Sequence, residues 1–332
     1  VTAEASESLP PPAEPSDACA VSPAGQGPAG GAADPGERTT AGPRLTGELR
    51  LCVARRGAGS VAVEQFHTGS LRVLRAHYPD AGHPAFTVVN PGGGYLGGDA
   101  YSTRVTVLAG ASALLTTQSA TKVYRTPQGP ARAELLIELG PGSRLESVPD
   151  ALIAYRDATY HQDTLADLAP DASLALAEVV THGWSPDGEP FRFEEVSLRT
   201  RVQVGGRLAV VDNLLIRPGE GGVGPLMLGG RSHLGSLLVV DPRADDAAVV
   251  ALRTLIADRF PAPLDGRAGR SGAEQAGSRA APLVGVTRLA VPGFALRAIA
   301  DSTEDAEAVI RAALDWMRAA WHGEGPVSLR KL

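Results

Sequence analysis

Leu139-Gly-Pro-Gly-Ser-Arg-Leu-Glu146 is the stretch that decides how the chain is read, because it recurs. Val107-Leu-Ala-Gly-Ala-Ser-Ala-Leu-Leu115 precedes it and Leu168-Ala-Pro-Asp-Ala-Ser-Leu-Ala-Leu176 follows it, each roughly thirty residues from the next, a spacing typical of repeat architectures. Every copy is an apolar segment, a small-residue corner and a second apolar segment. Such recurrence predicts layered, solenoid-like β-structure in which each unit buries its face on the next.

The flanking residues carry strand periodicity. Ala131 to Leu139 sets Ala133, Leu135, Ile137 and Leu139 on one side and Arg132, Glu134 and Glu138 on the other, the alternation of a half-buried strand. Tyr101, Thr103, Val105 and Val107 share a face opposite Ser102, Arg104 and Thr106, and Leu49, Leu51 and Val53 alternate likewise, as do Val61 and Val63. Turn signals separate these segments at Ala109-Gly110, Pro127-Gln-Gly-Pro130, Gly140-Pro-Gly142, Ala169-Pro-Asp171, Pro186-Asp-Gly188 and Gly205-Gly206. Their regular spacing predicts a continuous meander of strands.

Helical spacing enters only late. Ala248, Val249, Leu252, Leu255 and Ile256 recur at helical intervals within 245–260, before Pro261. A second helix, about 303–321, opens on Ser302-Thr-Glu-Asp305, carries Val309, Ile310, Ala313, Leu314, Met317 and Trp321 as its apolar stripe, and stops at Gly323. Strands near 284–291 and 294–299 lie between the two helices. The expected fold is therefore mainly β, a many-stranded β-helical or layered β-sheet domain with about two α-helices in the C-terminal third. Residues 44–332 read as one domain. Residues 1–43, dominated by Pro, Ala, Gly, Ser and acids, cannot bury enough apolar surface to offset ordering entropy and read as a disordered tail. The Gly, Ala and Arg loop at 264–281 reads as mobile.

Composition narrows the function. The 332 residues include 37 acids and 31 bases, a net charge of −6, with 43% hydrophobic residues. A mildly acidic chain lacks the positive potential that drives sequence-independent nucleic-acid binding. Cys19 and Cys52 are too few for a disulfide framework and form no Cys-x-x-Cys pair, which fits a reducing compartment. No run approaches the roughly 18 consecutive apolar residues of a membrane span, and no secretory signal is evident, so the expectation is a soluble cytoplasmic protein. Lys122 and Lys331 are the only lysines.

Asn90-Pro-Gly-Gly-Gly-Tyr-Leu-Gly-Gly-Asp99 places Gly92, Gly94 and Gly97 at the spacing of a dinucleotide fingerprint. That fingerprint needs a helix N-terminus next to it, and the residues that follow pattern as a strand. The glycines read instead as a tight corner that brings backbones close, with Asp99 held at it. No G-x-S-x-G or H-E-x-x-H motif occurs, and the seven histidines lack metal-ligand spacing. Acids on apolar faces are the unusual feature. Glu178 shares a face with Leu174, Leu176 and Val180, and Asp212 lies within Leu208 to Ile216, whose two faces are both apolar, as in a doubly covered strand. An unpaired buried carboxylate is costly, so these groups are expected to be paired, as with one of the arginines, protonated, hydrated in a cavity or used for cations.

The sequence resembles the UreD (UreH) family of urease accessory proteins. The resemblance rests on Gly94-Tyr-Leu-Gly-Gly-Asp99 followed by Leu114-Leu-Thr-Thr-Gln-Ser-Ala-Thr-Lys-Val-Tyr-Arg125: a Gly-Gly-Asp corner, a Leu-x-Thr-x-Gln strand and a Thr-Lys-Val-Tyr-Arg turn in that order. Similarity continues at Leu145-Glu-Ser-Val-Pro149, from Gly183 to Phe191, and at Pro326 with Leu329-Arg-Lys331, so that it runs from about Gly47 to the last residues. Two segments depart from the family pattern. Gly183-Trp-Ser-Pro186 stands where the family has Gly-Arg-Pro, and Pro149-Asp-Ala-Leu152 where it has Pro-Gln followed by an acid. The long Pro-rich tail also lies outside the pattern.

The resemblance implies a non-enzymatic β-helical scaffold that binds UreF and the GTPase UreG, docks on apo-urease and supports nickel delivery, without nucleic acid or membrane. It implies no tightly bound cofactor, only nickel in transit, and assigns Asp99, Glu178 and Asp212 to a transient nickel passage, where spaced single carboxylates bind weakly enough to release. Gly97, Gly98, Lys122, Tyr124, Arg125 and Arg330 are left as partner-binding or structural residues. The C-terminal helix and residues 326–332 form a second interface candidate, for UreF. Two other classes compete with this reading. A generic β-rich protein-binding module rests on the strand repeats and the missing catalytic motifs, and a nucleotide-binding enzyme rests on the glycine spacing alone.

Overall fold

The computed structural model describes residues 44–80, 83–221, 223, 228–261, 280–326 and 329. The tail 1–43, nearly all of the loop 264–281 and Arg330 lie outside the described residues. In chain order the strands are β1 (Gly47–Arg56), β2 (Gly59–Gly69), β3 (Arg72–Val73), β4 (His77–Asp80), β5 (His83–Val89) and β6 (Ala100–Val107). Then come β7 (Ser112–Thr117), β8 (Thr121–Val123), β9 (Ala131–Leu139), β10 (Arg144–Ser147), β11 (Leu152–Ala154) and β12 (Thr159–Leu168). β13 (Ser173–His182), β14 (Glu195–Val204), β15 (Arg207–Ile216) and β16 (His233–Val240) precede helix α1 (Asp246–Arg259), and β17 (Leu283–Arg288) and β18 (Gly293–Ala300) precede helix α2 (Thr303–Met317).

Two sheets result. The first has the order β15-β14-β12-β9-β6-β1-β2, the second β17-β18-β16-β13-β10-β7-β5-β3, with β4, β8 and β11 branching from the second. The recurring phrase is the passage from one sheet to the other. In each copy the corner closes with the same hydrogen bond three residues back: Ala111 N to Leu108 O at 3.0 Å, Ser143 N to Gly140 O at 3.1 Å, Ala172 N to Ala169 O at 3.0 Å. Successive corners also bond to one another, Arg144 N to Ala111 O at 2.9 Å and Ser173 N to Ser143 O at 2.8 Å. A meander therefore does not form. The corners carry the chain across the sandwich, so neighbours within a sheet come from successive coils and run parallel: β6, β9, β12 and β14 in the first sheet, β7, β10 and β13 in the second.

The alternation sets three layers. Leu49, Val105, Ile137, Leu145, Leu168 and Leu174 are sealed between the sheets. On the other face of β13, Ala175, Ala177 and Val179 join Val249 and Leu252 of α1 and Val309, Ile310 and Ala313 of α2 in a second core. Burying each large aliphatic side chain contributes about 1.5–3 kcal/mol relative to exposure. Both helices begin on side-chain caps: Asp245 accepts from Ala248 N at 2.8 Å and Ser302 from Asp305 N at 3.1 Å.

Beyond α2 the chain makes a π-helical turn, Arg318–His322, ended by Gly323 at φ +63°. This turn drives Arg318 under the helix layer, where its guanidinium donates to Glu146 at 2.7 Å and pairs with Glu324 at 3.1 Å. Arg144 pairs with the same two acids, at 3.2 and 2.6 Å. Burial and the neighbouring Arg144 push His83 down to about 3, so its neutral Nδ1 accepts from Arg144 at 3.4 Å.

The expected double coverage of 208–216 changes. β15 is an edge strand of the first sheet, and among the described residues its outer face is uncovered: Leu208 and Val211 are 59% and 61% exposed. Apolar residues on both faces did not signal double coverage, because the helices cover the second sheet only.

At the opposite turns the coils stack on aromatic rings. Tyr124 and Tyr155 lie 5.2 Å apart, and a glycine closes each end of the pair. A Cβ on Gly94 would sit 2.5 Å from the Tyr124 ring and one on Gly183 2.6 Å from the Tyr155 ring, so no side chain fits at either position. Gly183→Ala is expected to cost about 1–3 kcal/mol in denaturant unfolding, whereas Gly285→Ala, with open space around it, is expected to change stability by less than about 0.5 kcal/mol.

Candidate functional site

The glycine-rich corner leads directly into β6, so no helix N-terminus faces it and the dinucleotide geometry is absent there. Gly97 packs against the backbone of Thr126, where a Cβ would approach to 2.8 Å, and Gly98 turns at φ +80°. The corner fixes Asp99. Its carboxylate accepts from Thr46 Oγ1 at 3.0 Å, Leu96 N at 2.8 Å and the Tyr101 hydroxyl at 3.1 Å.

From Tyr101 a chain of polar and aromatic groups runs between the sheets. Tyr101 stacks on Tyr95 with ring centroids 3.8 Å apart, and Tyr95 meets Tyr160 at 6.0 Å. Tyr160 donates to Gln162 at 2.9 Å, and Gln162 donates to Glu178 at 2.6 Å. These side chains, with Thr103 and Thr164, border a cavity of about 140 Å³ inside the sandwich. Glu178 lies deep between the sheets yet keeps some accessible surface, because it faces this cavity.

Pairing register explains why the acids converge. Across the first sheet Thr103, Leu135, Thr164, Thr200 and Asp212 stand in one row. Across the second, Glu178, Ser236 and Arg297 stand in another. The two rows close on each other where Arg297 donates to Asp212 at 2.5 Å while also bonding Ser236. Asp212 is thus paired with an arginine, one of the four outcomes the sequence left open. Among the described residues Glu178 has no arginine within ion-pair distance and is held by Gln162. Burial, with the nearby Asp212 charge adding to it, pushes its carboxyl up to about 7, against the opposing pull of Arg297 and of the Gln162 hydrogen bond. Burial likewise holds the Tyr95 and Tyr160 hydroxyls well above their ordinary range, so both remain neutral donors.

The structure therefore joins Asp99, Glu178 and Asp212 along one interior line. Lys122, Tyr124 and Arg125 stand apart from it, at the stacked turns. Lys122 O accepts from Tyr95 N at 2.7 Å, Tyr124 stacks on Tyr155, and the exposed Arg125 pairs with Asp157 at 3.3 Å. Sequence reading missed Tyr95, Tyr160, Gln162 and Arg297. A signal existed for two of them, since Tyr160 and Gln162 share a face with Ala166 and Leu168 in β12, whose inward side is otherwise apolar. Among the described residues no group of three or more His, Cys, Asp or Glu is arranged to hold a metal ion, and no helix is long and apolar enough to cross a membrane.

The fold is a two-sheet sandwich built largely of parallel strands, with a line of polar and aromatic groups between its sheets. The family model "UreD urease accessory protein" matches residues 45–331, and the chain belongs to that family. It is 47% identical to the urease accessory protein UreD of Arthrobacter sp. (strain FB24), over 86% of this chain and 94% of that protein. It is 46% identical to UreD of Actinomyces naeslundii, over 86% and 98%, and 39% identical to UreD of Corynebacterium glutamicum (strain ATCC 13032), over 86% and 97%. Its role lies in the maturation of urease.

The raised carboxyl of Glu178 has a definite sign in stability. Its contribution is fully present below the ordinary value of 4.5 and is lost as pH rises through about 7. Glu178→Gln is expected to flatten the fall in melting temperature between pH 6 and 8 and to be more stable than the parent at pH 8, by on the order of 1–3 kcal/mol.

Proposed function

We propose that this chain is a non-catalytic cytoplasmic scaffold that binds UreF and the GTPase UreG, docks on apo-urease and passes nickel toward the urease active site through its interior. The observation that supports the reading is the single line from Asp99 through Tyr101, Tyr95, Tyr160 and Gln162 to Glu178, ending at Asp212 on the far edge of the first sheet. Nickel is cargo here, and oxygen donors suit a hydrated divalent ion. Three carboxylates held apart give hand-over points of modest affinity, whereas a cluster would retain the ion. Glu178 suits the central place: its carboxyl sits near neutrality, so a passing cation displaces a proton at little cost.

The reading is tested in cells carrying the urease genes. Glu178→Ala and Asp212→Ala are expected to lower urease activity most at limiting nickel, with partial recovery when nickel is added. Normal activation by both variants at limiting nickel overturns the passage. Co-expression with UreF and UreG is expected to yield a complex on affinity purification, and its absence overturns the scaffold role independently of the passage.

A further inference from the structure

We propose that the end of the stacked coils, where Leu96, Tyr124, Tyr155 and Trp184 follow one another, is a docking strip for a protein partner that offers an apolar socket for Trp184 and carboxylates for Lys122, Arg125 and Arg156. Trp184 is 72% exposed, the most open of the large apolar side chains among the described residues. An indole left in water forgoes the burial that makes tryptophan a frequent anchor of interfaces.

The loop that carries Trp184 is held at both ends. Gly183 N donates to Ala154 O at 2.6 Å, and Gly183 packs against the Tyr155 ring. Asp187 accepts from Ser185 Oγ and from Arg192 Nε, the latter at 3.1 Å, and Gly188 N donates to Ser185 O at 3.0 Å. Phe191 adopts φ +55°, a left-handed conformation that a bulky side chain takes only where its surroundings hold it. Those surroundings include the His182 ring at 5.0 Å and the Phe193 ring at 6.2 Å. A loop fixed in this way loses little conformational entropy when a partner closes on it.

The strip is continuous across the coils. Gly94, in the same corner as Leu96, packs against Tyr124, Tyr124 stacks on Tyr155, and Tyr155 packs against Gly183 beside Trp184. Charge selects the partner. Arg125 and Arg156 share one carboxylate, that of Asp157, at 3.3 and 3.7 Å, and Lys122 forms no ion pair among the described residues. Three cations against one acid, in a chain of net charge −6, make this part of the strip attractive to carboxylates. Glu189 and Glu194, exposed on the Trp184 loop, repel a phosphate backbone and so favour a protein over nucleic acid. The inference rests on the scaffold reading for the proteins to be tried, and it makes no use of the nickel passage.

The test measures, by biolayer interferometry, the affinity of the full-length chain for UreF, for UreF with UreG, and for apo-urease. Trp184→Ala is expected to weaken at least one of these about tenfold or more, and Trp184→Phe to weaken it less. Arg125→Glu is expected to weaken the same complex, with a difference from the unaltered chain that shrinks as salt is added. Should Trp184→Ala melt below the unaltered chain, Arg125→Glu, at an exposed side chain, carries the test. Folded variants that bind every partner as tightly as the unaltered chain overturn the strip and leave the scaffold reading standing. Absence of any complex with the unaltered chain overturns the scaffold reading and the strip with it. Binding of a labelled single-stranded oligonucleotide that Trp184→Ala abolishes assigns the strip to nucleic acid and overturns the proposal.

Discussion

Val107, Leu139 and Leu168 stand side by side across the first sheet, each the last residue of its strand in a successive coil. That line is the constraint on which the molecule depends. A parallel pair cannot be joined by a short hairpin, so each of these three strands is followed by a corner that leaves the sheet. The corners at 108–111, 140–143 and 169–172 do so with small residues and one repeated hydrogen bond, and they deliver the chain to the second sheet in register. A slip of one residue would turn each inward face outward. Leu145, Leu168 and Leu174, all buried between the sheets, would then meet water.

The same register creates the interior site. Polar residues placed two apart from core leucines on several strands end up in two facing rows, and satisfaction of one group requires the next. Tyr160 needs Gln162, Gln162 serves Glu178, and Arg297 serves both Asp212 and Ser236. Buried polar groups are costly when orphaned and stabilising only as a connected set. The cavity beside them gives Glu178 solvent-sized space next to its carboxyl.

A second set of buried charges does different work. Arg144, Glu146, Arg318 and Glu324 lie outside the sandwich and fasten the π-helical turn beyond α2 to β10. Breaking such a buried set by removing one member leaves a charge without its partner, the costly case for an ion pair in a low-dielectric site. The inner line lies between the sheets, while the outer clamp fastens the turn beyond α2.

Strand periodicity, the three corner phrases and the two helices were legible in the sequence because each depends on neighbours in the chain: alternation, small turn residues, Ser302 and Asp245 as caps. The inward direction of Glu178 followed from the same alternation. The corner phrases could not show whether the chain turned back beside itself or crossed to another sheet, since both need the same small residues. Leu208 and Val211 look buried in sequence, and only the sheet order places them on an uncovered edge. The meeting of Asp212 with Arg297, 85 residues apart, and the cavity between the sheets were decided by tertiary structure alone, because registers across two sheets set these distances and no local pattern encodes them.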